Sequence, residues 1–151
     1  ELAADAIVVY GTGIVRDAVI NINPERIVNL HGGDPEEYRG LDSALWAIYH
    51  SDFAGLSVTL HRLNAQLDDG EIISQARIPL REGMKLHELR AENSKLCLEL
   101  TLTALLELSE TGCFKSRLQG KRGRYYSFMP AVLKDGVVRR FESYTTKMRR
   151  R

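Results

Sequence analysis

Two short apolar runs constrain the fold more than anything else in the 151-residue chain. Ala6-Ile7-Val8-Val9-Tyr10 closes at Gly11-Thr12-Gly13, and Arg26-Ile27-Val28-Asn29-Leu30-His31 closes at Gly32-Gly33. Short, β-rich runs with little alternation are what a strand covered on both faces requires. Between them residues 15–20 suit a helix, which Asn21 and Pro24 would stop. Asp42-Ser43 supplies an N-cap for a second helix over 44–49, and strands are expected over 56–61 and 71–78, with Asp69-Gly70 as the turn into the last. A strand, helix, strand, helix order predicts an α/β fold: an open, mostly parallel sheet flanked by helices joined by right-handed crossovers.

Residues 86–109 are leucine-rich and nearly free of breakers, so a long helix is expected there. Its leucines suit either a core fit or a homodimer. After Gly112 the pattern weakens into short strands and turns, which predicts a small β-rich end around Tyr125-Tyr126-Ser127-Phe128. The expected organisation is an α/β catalytic unit over 1–112 and a basic extension over 113–151 packed on it.

Charge divides along the same line. Residues 115–151 carry twelve Lys/Arg against two Asp/Glu, a net of +10, whereas residues 1–114 carry nine against eighteen, a net of −9. A basic end can meet phosphates on a nucleotide, a substrate or a nucleic acid. The run Lys147-Met148-Arg149-Arg150-Arg151 also reads as a solvated, partly disordered tail. Nothing approaches the roughly 18 apolar residues of a membrane span, and a secretory signal is not visible. Cys97 and Cys113 make neither a disulfide framework nor a zinc spacing, so a reducing, cytoplasmic setting is the default. The chain begins at Glu1 and runs at once into a strand, as a piece of a longer protein would.

Asn29 and His31 are two apart on one strand, so their side chains share a face at its carboxyl end, where open α/β sheets bind ligands. A buried face carries an amide and an imidazole only where each finds hydrogen-bond partners. A catalytic pair and a structural pair that pins the following loop are both compatible with the spacing. In Leu67-Asp68-Asp69-Gly70 the turn uses Asp69 and Gly70, which leaves Asp68 free to face inward. His50, His61 and His87 read as surface or packing histidines. Gly11-Thr12-Gly13 lacks the third glycine of a dinucleotide fingerprint, and with no paired His/Cys ligand set no metal site is expected.

The ordered run Asn29-Leu30-His31, Pro35, Tyr38-Arg39-Gly40 and Leu67-Asp68-Asp69-Gly70-Glu71-Ile72-Ile73-Ser74-Gln75 resembles the 10-formyltetrahydrofolate-dependent formyltransferases. That family includes glycinamide ribonucleotide, methionyl-tRNA and sugar N-formyltransferases. The likeness covers about residues 5–80. Val58-Thr59-Leu60-His61 is similar to the family's Val-Thr-x-His strand, with Leu56-Ser57 in place of the usual glycine. His31-Gly32-Gly33-Asp34-Pro35 departs from the usual His-x-Ser-Leu-Leu-Pro loop.

The resemblance implies a formyltransferase-like, Rossmann-like fold and a catalytic trio of Asn29, His31 and Asp68. Asn29 and His31 would meet the formyl oxygen, and Asp68 would orient His31 and help relay the proton. It implies 10-formyltetrahydrofolate as cosubstrate, held by Tyr10, Gly11, Thr12 and Ile14 on one side and by Gln66, Leu67 and Asp69 on the other. The expected acceptor is a small primary amine. An amino sugar on a nucleotide is favoured over tRNA, because the tRNA enzyme's C-terminal domain has no counterpart here. The family's N-terminal half has none either, so the chain reads as the catalytic half. A formyltetrahydrofolate hydrolase and a non-catalytic folate-binding module stay open as alternatives. Gln119-Gly120-Lys121-Arg122-Gly123-Arg124-Tyr125-Tyr126 suits a phosphate-contacting segment or a strand pair closing over the sheet.

Overall fold

The computed structural model describes residues 4–148. Strand β1 (Ile7–Tyr10) leads through the single-turn helix α1 (Asp17–Ile20) into β2 (Ile27–His31). A short β3 (Tyr38–Gly40) precedes helix α2 (Ser43–Tyr49), and β4 (Ser57–Arg62) and β5 (Ile72–Arg77) follow. Helix α3 (Leu86–Thr111) spans 26 residues, then β6 (Arg124–Tyr126) leads to α4 (Ala131–Lys147).

The α/β class holds, but the sheet is mixed rather than mostly parallel. Its order is β1-β2-β4-β5, with β1 and β2 parallel and both other pairings antiparallel. The segment from β2 to β4 returns antiparallel to β2 instead of crossing over, and the 63–71 loop turns β4 straight back into β5. Strands β2 and β4 are the buried centre, and Ile27, Val28, Val58 and Leu60 are almost wholly covered. A register irregularity in the β4–β5 ladder falls between Leu60 and His61. Such a bulge bends the strand and re-aims the next side chain.

Helix α1 is shorter than the 15–20 expectation and has no side-chain cap at Arg16. Asp42 does not cap α2 either. It adopts a left-handed φ of 52°, and its Oδ2 accepts the N–H of Met129 at 2.9 Å. Helix α3 begins where Glu88 Oε2 accepts the Lys85 N–H and stops at Gly112, whose φ is 76°. Leu89, Cys97, Ala104 and Leu108 face the core, while Leu98, Leu102 and Leu106 are exposed.

The largest departure follows Gly112. Instead of a β-rich end, three residues form β6 and seventeen form α4. Val137, Phe141 and Thr145, spaced i, i+4, i+8, bury one face of α4 against α2 and α3. Phe53 stacks on Tyr144 with centroids 3.7 Å apart, and Thr145 Oγ1 donates to the Met84 carbonyl at 2.9 Å. Residues 147 and 148, the start of the expected basic tail, end this helix; Arg149, Arg150 and Arg151 lie outside the described residues. Strand β6 pairs in parallel with β3, so the segment after α3 returns to the carboxyl end of β2.

Candidate active site

Four side chains from β2, β4 and the 63–71 loop converge at the carboxyl end of β2. Asn29 and His61 are cross-strand partners in the β2–β4 ladder. Asn29 Nδ2 stands 3.2 Å from His61 Nε2 and 3.5 Å from Asp68 Oδ1. His31 Nδ1 is 3.4 Å from Asp68 Oδ2, and His61 Nε2 is 3.5 Å from Asp68 Oδ1. His31, His61 and Asp68 are all buried.

The local chain explains why Asp68 reaches this centre. Gly70 packs so tightly on β4 that a Cβ there would lie 1.8 Å from the Arg62 carbonyl oxygen, so only glycine fits. Just before it, Asp68 takes a left-handed φ of 48°, which turns its carboxylate inward. Oδ2 then accepts the Gly40 N–H at 2.8 Å. Gly40 itself has a φ of 97°, and a Cβ on it would overlap the Tyr126 carbonyl oxygen. Arg39, also buried, donates from Nε to the Gly123 carbonyl at 2.8 Å and from Nη1 to the Leu67 carbonyl at 3.0 Å. Residues from β3 and the β6 segment thereby brace the loop that carries Asp68.

Partners settle where the protons sit. His31 Nε2 lies 2.7 Å from the Tyr38 carbonyl oxygen, which can only accept, so Nε2 is the protonated nitrogen. In the neutral ring Nδ1 then turns a lone pair toward Asp68, a contact that becomes favourable once a proton lies between them. Burial lowers the His31 pKa, with the Asp68 charge pulling the other way. Burial would raise the Asp68 carboxyl, but the His61 hydrogen bond, the His31 ring and the Gly40 N–H outweigh it and hold it below the usual carboxylate range. His61 Nδ1 donates to the Arg62 carbonyl at 2.8 Å. Its Nε2 accepts from the Asn29 amide when neutral and donates to Asp68 when protonated. This orients Asn29 with Nδ2 facing the cluster.

The structure therefore brings together Asn29, His31 and Asp68, and adds His61, which the sequence reading had placed among packing histidines. One signal for it was available: His61 lies at the end of an alternating strand, seven residues before Asp68. His50 is exposed and bonds the Tyr126 hydroxyl, and His87 is exposed on α3.

The seven residues expected to face a folate stay in two separate segments. Tyr10, Gly11, Thr12 and Ile14 are exposed at the carboxyl end of β1, where the Tyr10 hydroxyl accepts from Asn93 of α3 at 3.3 Å. Gln66, Leu67 and Asp69 lie on the 63–71 loop. Gln66 Oε1 accepts from Arg122 at 2.8 Å, and the Asp69 carboxylate is 3.3 Å from Arg122 Nε and 3.9 Å from Arg39 Nη1. Leu67 keeps its side chain exposed. No hydrogen bond or ion pair among the described residues joins the two segments. Each segment offers exposed apolar side chains, Tyr10 and Ile14 on one and Leu67 on the other, of the kind that cover the faces of a flat heteroaromatic ring. The polar tips of Gln66 and Asp69 are already engaged.

No cluster of three or more metal-ligating side chains among the described residues is arranged to hold a metal ion. No described helix is long and apolar enough to cross a membrane.

Comparison with known proteins gives a consistent set of relatives. The family model described as formyl transferase matches residues 1–104. A methionyl-tRNA formyltransferase from Koribacter versatilis (strain Ellin345) is 32% identical over 108 residues, 71% of this chain and 34% of that protein. The formyltransferase PseJ from Anoxybacillus kamchatkensis, solved with UDP-4,6-dideoxy-4-formamido-L-AltNAc and tetrahydrofolate, is 25% identical. It superposes with a TM-score of 0.73 over 84% of this chain and 66% of PseJ. A variant of HypX from Aquifex aeolicus, 23% identical, shares the fold with a TM-score of 0.73 over 95% of this chain and 27% of that one. The chain thus spans about a third of the methionyl-tRNA formyltransferase and just under two thirds of PseJ.

Proposed function

The chain belongs to the formyl transferase family, and from that premise we propose that it carries the catalytic groups for moving a formyl group from 10-formyltetrahydrofolate to a primary amine. The observation that carries this reading is the convergence of Asn29, His31 and His61 on the buried Asp68 at the carboxyl end of β2. The tetrahydrofolate bound by PseJ supports the cosubstrate, and its sugar-nucleotide ligand supports an amino sugar on a nucleotide as the acceptor.

Each residue has a task its geometry permits. The formyl-folate supplies an activated formyl carbon, and Tyr10, Gly11, Thr12, Ile14, Gln66, Leu67 and Asp69 would cradle its ring. Leu67 and Ile14 would cover the faces, while the 11–14 backbone reads the edge. One Asn29 Nδ2 hydrogen is held by His61; the other, only loosely engaged by Asp68 at 3.5 Å, is offered to the formyl oxygen. A donor aimed where charge gathers lowers the barrier to amine attack. As the C–N bond forms, the amine must lose a proton. Asp68 and the neutral His31 take it together, giving an imidazolium against a carboxylate, and return it to the folate nitrogen as that leaves. His31 acts here as proton acceptor, since its Nε2 hydrogen is committed to Tyr38. Direct contact between His31 and the formyl oxygen would require that bond to break.

The test supplies 10-formyltetrahydrofolate with and without candidate amino-sugar nucleotides. Amine-dependent release of tetrahydrofolate with a formylated product is expected. Release of formate at the same rate without amine would overturn the transferase reading in favour of hydrolysis.

A further inference from the structure

Residue 119 belongs to no strand or helix, yet its side chain reaches back to the loop that carries Asp68. Gln119 Nε2 donates to the Asp68 carbonyl at 3.0 Å and to the Gly70 carbonyl at 2.8 Å. Oε1 is buried with no partner among the described residues. Turning the amide over would aim that oxygen at two carbonyl oxygens, so the two donor bonds alone set its orientation. The carbonyls it holds bracket Asp69, next to the one left-handed residue of the loop. Arg39 fixes the preceding carbonyl, that of Leu67, and Gly40 N–H fixes the carboxylate itself. Gln119 is thus the brace on the backbone of Asp68. It also lies beyond residue 104, where the family match ends.

We infer that Gln119 is a positioning residue for the proposed transfer: it holds the Asp68 backbone in its left-handed turn and so keeps the carboxylate against His31 and His61. The kinetic part of this inference rests on the proposed reaction. The placement of Asp68 does not, because His31 reports it without turnover. The groups acting on His31 are Asp68 from the loop, His61 from β4, the Tyr38 carbonyl from β3 and Asp34 from the turn after β2. Of these, Asp68 is the one Gln119 holds.

Gln119→Met keeps the length of the side chain and donates nothing. Long-range ¹H–¹⁵N NMR of the whole chain should then show the His31 midpoint moving further down, in the same direction as in Asp68→Asn and by less, because the retreating carboxylate no longer offsets burial. In transfer assays kcat should fall about tenfold or more with KM for the formyl-folate little changed, as expected for a displaced catalytic group. Gln119→Asn is one methylene shorter and reaches at most one carbonyl, so both effects should be intermediate. It also decides the matter if Gln119→Met does not fold. A residue that only stabilises the fold would lower the melting temperature and leave the His31 midpoint and kcat unchanged, and that result overturns the inference. If the wild-type chain transfers to no amine, the reaction reading fails, while the His31 midpoint still decides the role of Gln119.

Discussion

Replacing Asp68 in two ways separates its chemistry from its structural work. In Asp68→Asn the new amide oxygen can still accept the Gly40 N–H, now 2.8 Å from Oδ2, and asparagine tolerates the left-handed φ of 48°. What disappears is the charge and the ability to hold a proton, so the stability cost should stay near 1 kcal/mol, that of one weakened hydrogen bond. Asp68→Ala loses more. It leaves the Gly40 N–H without its acceptor, worth about 1–3 kcal/mol, and places a Cβ residue without a helpful polar group in left-handed backbone, worth about 1–2 kcal/mol. A total of about 2–5 kcal/mol follows. Both variants should turn over at least about 10²–10⁴-fold more slowly, the range for removing a positioned acid–base group. The assays are urea denaturation followed by fluorescence, and amine-dependent release of tetrahydrofolate. Near-native stability with lost turnover in Asp68→Asn is the diagnostic pair. Wild-type turnover in that variant would remove the carboxylate from the mechanism.

Asn29→Ala should slow transfer by about 10²–10³, as expected for one lost oxyanion donor, with little change in the melting temperature. Stability should fall as the medium is acidified. His31 is held below its ordinary 6.5, chiefly by burial, so the unfolded chain binds the proton first as pH drops below that value. Asp68, held below its ordinary 3.8, adds a second decline beneath that value. Melting temperatures followed from about pH 8 to about pH 5 should fall in the wild type and much less in His31→Asn; a flat wild-type profile would contradict a buried neutral His31. Phe141→Ala should cost about 3–5 kcal/mol in denaturation, since the ring is fully buried between α4 and the core. A loss near zero would mean that α4 does not pack as described.

Much of this was legible in the residues because it depends on local period. The i, i+2 spacing of Asn29 and His31 on an apolar strand puts two polar groups on one face whatever lies around them. Asp68 was legible only in part: the Asp-Gly pair points to a turn at Asp69-Gly70, whereas Asp68 itself takes the left-handed turn position and Gly70 is required by its close approach to the Arg62 carbonyl. His61 was not legible in the same way. Its importance comes from lying opposite Asn29 in the β2–β4 register and from the irregularity after Leu60, and both are long-range facts. Strand direction failed for a related reason: nothing local distinguishes a crossover from a return, so the antiparallel β2–β4 pairing was invisible. Helix α4 was masked by Gly136, by the charged Lys134-Asp135 and Arg139-Arg140 pairs and by Thr145-Thr146. Its fully buried residues, Val137, Phe141 and Thr145, recur only every fourth position and the last of them is polar.

A segment beyond the family match at residues 1–104 helps hold the loop that carries Asp68 in place. Asp68 arrives from the 63–71 loop, but its backbone is fixed by Gln119, its carboxylate by Gly40 and the carbonyl before it by Arg39. Arg39 and Gly40 in turn depend on the segment after α3. The Gly123 carbonyl takes the Arg39 Nε hydrogen, and β6 pairs with β3 alongside Gly40. Gly40 can lie against the Tyr126 backbone because it has no Cβ, and Leu41 N–H completes the contact at 2.9 Å from the Tyr126 carbonyl oxygen. A buried carboxylate beside two imidazoles is tolerable only while every lone pair and hydrogen keeps a partner. One of those partners, His61, lies on the neighbouring strand β4, while Gly40 and Asn29 come from 28 and 39 residues away in the chain. The proposed chemistry therefore rests on residues 29–68, and residues 119–126 complete the geometry around Asp68.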